Sequence, residues 1–328
     1  MARGIKIVYV LSGKEEDFFY EQTLLSLYSL KHTNSEAYVI LITDRDTEQY
    51  LNSDRNAINQ YIDDIKIIDV PDRFSSIQKS RFLKTSLRKI VEGDFLYIDN
   101  DTIISGSLEE LVNLSADVAA VLNGHKNTWN ETNLHFQLQE YYDITGIRPE
   151  IDKKIKCYFN GGVIFARDTE NAHKFFDKWH ELWLTDSVDF NYHKDQPAMW
   201  RANYLSGNPI QVMDGTYNCQ LIYPNESLKY FLDAKILHYF SSAPMCMHLK
   251  IKHENFLCEL RDRGIDMAIK AYVNNIKVDY IMGVKVLIDN EKKFYDSPFG
   301  IMSRKIYRTF PIVDKISQKI YRLFGYKI

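Results

Sequence analysis

The chain carries neither of the glycine-rich loops that commonly cradle nucleotide phosphates. Gly13 stands alone after the first apolar run, where a G-x-G-x-x-G signature needs three glycines, and no G-x-x-x-x-G-K-[ST] occurs anywhere. A dinucleotide fold and a P-loop are therefore set aside. Cysteine is scarce: Cys157, Cys219, Cys246 and Cys258 lie scattered without C-x-x-C spacing. That argues for reduced thiols in a cytosolic setting, against a disulfide frame or a zinc site. Positive charge is not in excess, since the net charge is −3 at pH 7, so no global field draws the protein to nucleic acid. Long apolar runs are missing too. None reaches the roughly 18–20 residues of a spanning helix. The short run Ile7 to Leu11 after the N-terminus reads as a strand rather than a signal peptide.

What is present is 328 residues, 45% of them hydrophobic, enough for one large domain or two ordinary ones with a sizeable core. The chain is organised around Asp94 to Ile104. Phe95 to Ile98 reads as a buried strand that ends abruptly in Asp99-Asn100-Asp101. Two carboxylates at the end of a buried strand repel each other and resist desolvation. A divalent cation removes that cost, and hard oxygen ligands suit Mg²⁺ or Mn²⁺. On the tripeptide alone an Asx-rich turn is the simpler reading. The rest of the chain favours the cation.

Before that stretch, strands are expected over Ile5 to Leu11, Ala37 to Ile42 and Ile65 to Val70. Helices are expected over Phe18 to Leu30, Thr47 to Tyr61 and, capped by Ser75-Ser76, Ile77 to Val91, with Gly93 as its stop. This alternation implies parallel pairing with helices on both faces. Such sheets bind ligands beyond the carboxyl ends of their strands, where Ser12-Gly13, Thr43-Asp44 and Asp99-Asn100-Asp101 all fall. On the third helix Arg81, Lys84 and Arg88 share a face. Most of that face reads as solvated, with Arg81 the residue suited to an anionic ligand. Leu108 to Leu114 reads as a short helix and Asp117 to Leu122 as a strand. Asn123 to Pro149, with Trp129, Phe136, Tyr141 and Tyr142, reads as an irregular excursion facing an acceptor, or else a surface insertion.

Tyr158 to Ala166 follows as a strand opened by Asn160-Gly161-Gly162, where two glycines permit close approach to the backbone. Asn171 to Thr185 is an amphipathic helix. Asp195-Gln196-Pro197 enters a further helix, and a helix cap is the local reading of Asp195. Ile210 to Asp214 and Leu221 to Tyr223 read as short strands. Lys235 to Ser242 is a buried strand containing His238, either a satisfied core histidine or a metal ligand.

The ordered set of Arg81, Tyr97-Ile98-Asp99-Asn100-Asp101, Tyr158-Phe159-Asn160-Gly161-Gly162-Val163, Asp195-Gln196 and Leu237-His238-Tyr239-Phe240-Ser241 resembles glycosyltransferase family 8, over roughly residues 5 to 245. The resemblance implies a GT-A (Rossmann-like) α/β fold, a mostly parallel sheet flanked by helices, here with a C-terminal helical basic segment. It implies a retaining transfer of a hexose from a UDP-sugar, such as UDP-galactose or UDP-glucose, to a saccharide or glycolipid acceptor. In that frame Asp99, Asp101 and His238 hold Mn²⁺, or Mg²⁺. Arg81 contacts the donor sugar or phosphates, and Asn160 and Gly162 the donor sugar. Asp195 holds sugar hydroxyls, and Gln196 faces the anomeric carbon opposite the leaving group. Val10, Leu11 and Ser12 form the uridine edge, and Asn100 contacts the ribose. Ser241 stands where the family often has glycine before a phosphate-binding lysine. Lys250 or Lys252 is the substitute at hand. Asn160-Gly161-Gly162 replaces a more usual Asn-Ala-Gly.

Domain limits follow: a catalytic domain over 1–255 and a mostly helical segment over 256–328. From Ile301 to Ile328 seven Lys/Arg residues face Asp314 alone, interleaved with apolar residues and divided by Pro311. Basic charge beside apolar faces suits binding in the plane of an anionic membrane, or else a packed terminal helix. The resulting expectation is a cytoplasmic enzyme, peripheral on the inner face of the membrane, acting in bacterial surface glycan synthesis. Two other classes compete: a sugar nucleotidyltransferase, for which no Gly-rich triphosphate loop is found, and a non-catalytic sugar-nucleotide-binding protein.

Overall fold

The computed structural model describes residues 5–14, 16–51, 55–126, 131–148, 157–243, 245–283, 293–294 and 297–309. The chain divides into two compact units, residues 1–284 and 285–328. The first opens with β1 (Lys6–Leu11), α1 (Phe19–Thr33), β2 (Val39–Asp44), α2 (Arg45–Leu51), β3 (Asp64–Ile68), α3 (Ser76–Thr85) and α4 (Leu87–Ile90). Next come β4 (Phe95–Ile98), β5 (Thr102–Ile104), β6 (Val118–Leu122), α5 (Glu131–Thr145), β7 (Phe159–Ala166), α6 (Glu170–Asp189) and α7 (Gln196–Leu205). It closes with β8 (Ile210–Val212), β9 (Cys219–Gln220), α8 (Pro224–Phe231), β10 (Ile236–His238), α9 (Glu254–Arg263), α10 (Met267–Asn274) and α11 (Ile276–Gly283). In the second unit, α12 spans Pro298–Thr309.

Seven strands form the main sheet in the order β3-β2-β1-β4-β7-β6-β8. β1 pairs parallel with β2 and β4, β2 with β3, and β6 with β8. The sheet is mostly parallel, as expected, and β7 is the exception, running antiparallel to both β4 and β6. The chain leaves β6 at Leu122 and, after α5, re-enters the sheet at that same end, with Phe159 opposite Leu122. Side-chain alternation gives the sheet two cores. Val8, Val10, Ile40, Ile42 and Tyr97 face α3 and α6, with Phe175, Phe176, Trp179 and Trp183. Tyr9, Leu11, Leu41, Leu96 and Ile98 face α1. Leu257, Leu260, Ile269, Val273, Ile276 and Tyr280 of α9–α11 belong to that same second core. The helices beyond residue 255 are thus continuous with the packing of β1 and α1.

A second sheet of three strands, β5-β10-β9, lies past the end of β4. β5 and β10 are antiparallel, with Thr102 opposite His238. This register fixes the site.

Several elements depart from their expected limits. Ser75 does cap α3, accepting from the Gln78 amide in a reciprocal capping box. The helix does not run on to 91, however. It breaks at Ser86 into α3 and α4. Thr85 Oγ1 and Ser86 Oγ there meet His180 Nδ1 at 2.8 and 3.2 Å. The helix expected over 47–61 is α2 followed by a 3₁₀ turn over Asn56–Tyr61. Residues 131–145 of the supposedly irregular excursion are helical, with Leu134, Leu138, Tyr141 and Tyr142 buried. Within 221–223 no strand forms, and pairing is confined to Cys219–Gln220. The strand around His238 is three residues long. Trp129 and the tail from 310 onward lie outside the described residues. Among the described residues all four cysteines are free and no helix is long and apolar enough to cross a membrane.

Two histidines, His125 buried and His180 half-buried, tie stability to pH. Burial pushes His180, and likewise His125, down to about 4. Unfolded, each titrates near 6.5. Between those values the unfolded chain binds protons that the folded one refuses, so stability rises with pH across about 4 to 6.5. The melting temperature is expected to fall by several degrees between pH 7 and pH 4.5, and His180→Asn to flatten that slope. Coincident pH profiles for the two proteins would contradict this.

Candidate active site

β4 ends where the Asp99 amide donates to Gly162 O at 2.7 Å. Thr102 Oγ1 then donates to Asp99 O at 2.9 Å, closing the acidic turn before β5 begins. Because Thr102 pairs with His238, Asp101 arrives beside the imidazole: His238 Nε2 lies 3.1 Å from Asp101 Oδ1. The other Asp101 oxygen accepts from Ser241 N at 2.8 Å and Ser241 Oγ at 3.2 Å. Burial would raise this carboxyl; His238 and the Ser241 hydrogen bonds outweigh it and hold the group well below the usual carboxylate range. Ligand atoms of Asp99, Asp101 and His238 all lie within 4.8 Å of one another.

This donor set fits a divalent cation. His238 Nδ1 donates to Asn218 Oδ1 at 3.0 Å, which leaves the Nε2 lone pair directed at the acidic pair. Asn218 Nδ2 in turn donates to Asn160 Oδ1 at 2.8 Å, and the Gly162 amide donates to the same oxygen at 2.9 Å. Asn160 Nδ2 reaches Asn123 Oδ1 at 3.3 Å. A chain of carboxamides therefore holds the ring. Phe240 stacks on it, centroids 3.8 Å apart and planes within 9°. Its backbone sits at φ 52, the left-handed region that non-glycine residues seldom adopt. On a third side the ring is packed against Gly162, where an added Cβ would stand 2.3 Å from His238 Cε1.

The rest of the cleft is charged. Asp195 occupies the cap position of α7, yet its side chain makes no capping bond. Its Oδ1 meets Arg81 Nε at 3.3 Å and its Oδ2 meets Lys84 Nζ at 3.0 Å. The cap reading is thereby overturned: two cations outcompete the helix amides for this carboxylate. Burial raises Asp195, but Lys84 and Arg81 bring it below its ordinary value, so it stays ionised. Lys84 also lies 3.3 Å from Asp99 Oδ1, which accepts from the Tyr97 hydroxyl as well. Burial, then the Asp99 charge, push that phenol well up, so it remains a donor. The solvated-face reading fails at Lys84 on α3 and at Arg88 on α4. Arg88 is buried, its guanidinium donating to Val91 O and Arg167 O.

These groups line one cleft of about 310 Å³ together with Val10, Ser12, Asn100, Asn160, Gly162, Gln196 and Ser241. Asn100 Oδ1, Gln196 Nε2 and Ser12 Oγ are buried in it without protein partners among the described residues. Leu11 does not line it. Strand alternation turns its side chain into the α1 core. Lys252 is not free to clamp phosphates, since its ammonium donates to the carbonyls of Tyr239, Phe240, Ala243 and Met245 at 2.6–3.3 Å. Lys250 sits over the Tyr272 ring. Lys84 and Asn218 are the site residues that sequence reasoning missed. The signal for Lys84 was its place one helical turn after Arg81; Asn218 gave none beyond the general need of a liganding histidine for an outer partner.

Fold and cleft together define an α/β enzyme with a cation-ready polar site beyond its strand ends. Residues 17–244 match the sequence model of Glycosyl transferase family 8, and the chain belongs to that family. It is a glycosyltransferase with the mixed α/β architecture of the GT-A fold. Among solved structures, the apo form of mouse xyloside xylosyltransferase 1 is similar over 74% of this chain and 99% of its own, at 14% identity and a TM-score of 0.48. The galactosyltransferase LgtC, crystallised with donor and acceptor sugar analogs, is similar over 88% and 99%, at 14% identity and 0.49. GlyE of Streptococcus pneumoniae TIGR4 is similar over 73% of this chain and 55% of its own, at 18% identity and 0.45. No curated protein sequence matches the chain.

The two adjacent glycines separate by substitution. Gly162→Ala is expected to displace the His238 ring and to cost about 10²-fold in activity, with weakened divalent-cation binding. At Gly161 an added Cβ meets nothing closer than 3.4 Å, at Lys84 Nζ. Gly161→Ala is expected to stay within a few-fold of wild type. Equal effects in parallel calorimetric and activity assays would contradict the geometry.

Proposed function

We propose that the enzyme moves a hexose from a UDP-sugar, UDP-galactose or UDP-glucose, to a saccharide acceptor with retention of anomeric configuration. The observation that supports this most is the convergence of Asp99, Asp101 and His238 in one cleft with Asp195 and Gln196. Asp99, Asp101 and His238 would hold Mn²⁺, or Mg²⁺. When bound, such an ion supplies Lewis-acid stabilisation of the diphosphate charge, so no protein acid is required for the leaving group.

The chain's own residues account for the remainder. Asp195, ionised and fixed by two cations, is an acceptor for sugar hydroxyls and opposes positive charge growing on the ring. Arg81, about a third exposed, extends toward the donor phosphates or sugar. Gln196 is a neutral amide and a poor nucleophile; it stabilises the ring cation through its carbonyl dipole. Asn100, Asn160, Gly162 and Ser241 line the donor path, and Val10 and Ser12 lie at its nucleoside end. Among the described residues the one imidazole lining the cleft, His238, is committed to Asp101 and Asn218. Attack therefore occurs on the face the phosphate leaves. The acceptor oxygen bonds C1, the C1–O bond to phosphate breaks, and the acceptor proton passes to the departing phosphate.

For the acceptor we propose a glycolipid of bacterial surface glycan synthesis, such as a growing lipopolysaccharide. The catalytic part is 1–255, with 301–328 resting peripherally on the inner face of the cytoplasmic membrane. Seven Lys/Arg residues against one Asp in that tail support this, as do the exposed Phe299, Ile301 and Met302 of α12.

With Mn²⁺ and a panel of UDP-sugars, slow UDP release from one donor is expected, and the glycoside product should keep the donor's anomeric configuration. Pyrophosphate-dependent exchange, binding without turnover, or an inverted product would overturn the reading. A chain ending near Phe299 is expected to lose flotation with anionic liposomes; undiminished flotation would remove the membrane role.

A further inference from the structure

Lys84 touches no substrate in the proposed reaction and enters it only through its contact with Asp195. It lines the cleft, yet only 2% of its surface is exposed. An ammonium stripped of water stays charged inside a protein only if partners replace its hydration. Its partners are Asp195 Oδ2 at 3.0 Å, Asp99 Oδ1 at 3.3 Å and the Tyr97 ring, with its centroid at 5.1 Å. A lysine so enclosed acts through its neighbours.

Those neighbours belong to different ends of the site. Asp99 is part of the cation triad and Asp195 serves the donor sugar. On Asp99 the ammonium and the Tyr97 hydroxyl both engage Oδ1. Oδ2 is left without a protein partner among the described residues, so Asp99 offers a cation one oxygen. Charge works in the same direction. Asp99, Asp101 and Asp195 would draw a divalent cation strongly if Arg81 alone opposed them. Lys84 adds a second positive charge against the triad itself, where like charges at short range in a buried site weigh heavily.

We propose that Lys84 is a resident counter-cation that keeps the Asp99–Asp101–His238 triad weak toward a free divalent ion, so that the ion is retained only together with the anionic diphosphate of the donor. The inference rests on the cation reading of the triad given above. It makes Lys84 a positioning residue with two consequences. Asp195 is fixed for the sugar, and the ion departs with the nucleoside diphosphate instead of staying behind in the emptied cleft.

The test is calorimetric titration of Mn²⁺ into the full chain, with and without UDP. The variants are Lys84→Gln, which keeps a hydrogen-bond donor without the charge, and Lys84→Met/Asp195→Asn, which removes the ammonium together with the Asp195 carboxylate it pairs with. Wild type is expected to bind free Mn²⁺ weakly and to gain on the order of tenfold or more with UDP. Tighter binding of free Mn²⁺ in either folded variant, with a smaller gain from UDP, supports the proposal. A purely structural lysine gives the opposite sign, because disorder loosens a metal site. Unchanged or weaker affinity in both variants, or failure of both to fold, overturns it. A wild type that binds no divalent ion even with UDP overturns the triad reading as well. A wild type that binds, with variants no tighter, overturns this proposal alone.

Discussion

The register of one short strand pair governs the site. β5 and β10 are three residues each and lie more than a hundred residues apart in the chain, yet Thr102 is paired with His238 and with no other residue of β10. A slip by one residue would turn the imidazole to the opposite face of the small sheet. The pair is held from several sides. The Tyr239 amide donates to Asp101 O at 3.2 Å, Leu221 N donates to His238 O at 2.9 Å, and the Lys252 ammonium gathers the carbonyls of the loop that follows. Ser26 Oγ meets Thr102 Oγ1 from α1 at 2.8 Å, anchoring the β5 side.

Around this register the cleft is built from groups that are unfavourable when alone. Asp195, buried, and Asp99, half-buried, are carboxylates that both engage Lys84. His238 needs Asn218 to fix its tautomer and Gly162 to leave room for its ring. Asn160 serves the frame more than it faces the solvent: three of its hydrogen bonds go to Asn123, Asn218 and the Gly162 amide. Removing any one partner leaves another polar group buried and unsatisfied, which in low dielectric costs more than the lost bond itself. Such a site is preorganised for charge, which suits a reaction whose transition state separates a sugar cation from a diphosphate.

The sequence disclosed the main strands well, because β1, β2, β4 and β7 are each built on a short apolar run buried on both faces. β4 was read to the residue. It disclosed Asp99, Asp101 and His238 through motif order, and these do converge. It failed where tertiary context overrides local pattern. Lys84 looks like any basic residue on a polar helix face, and only the fold places two carboxylates against it. At Ser86 the helix breaks, and Thr85 and Ser86 there meet His180, a contact from a helix far along the chain that no local pattern announces. Leu11 does not share the cleft with its neighbours Val10 and Ser12, because period-two alternation sends it to the other face. The antiparallel β7 was hidden because strand–helix alternation continues on both sides of it and carries no mark of direction.

The claim on which everything else stands is that the imidazole shares one cation with the acidic pair. Pulsed electron paramagnetic resonance of Mn²⁺ bound to protein labelled with ¹⁵N-histidine reads this directly. The account predicts coupling to one imidazole nitrogen in the wild type, with UDP present, and its disappearance in His238→Ala. Mn²⁺ bound without any histidine nitrogen coupling, or coupling that survives in His238→Ala, would contradict it.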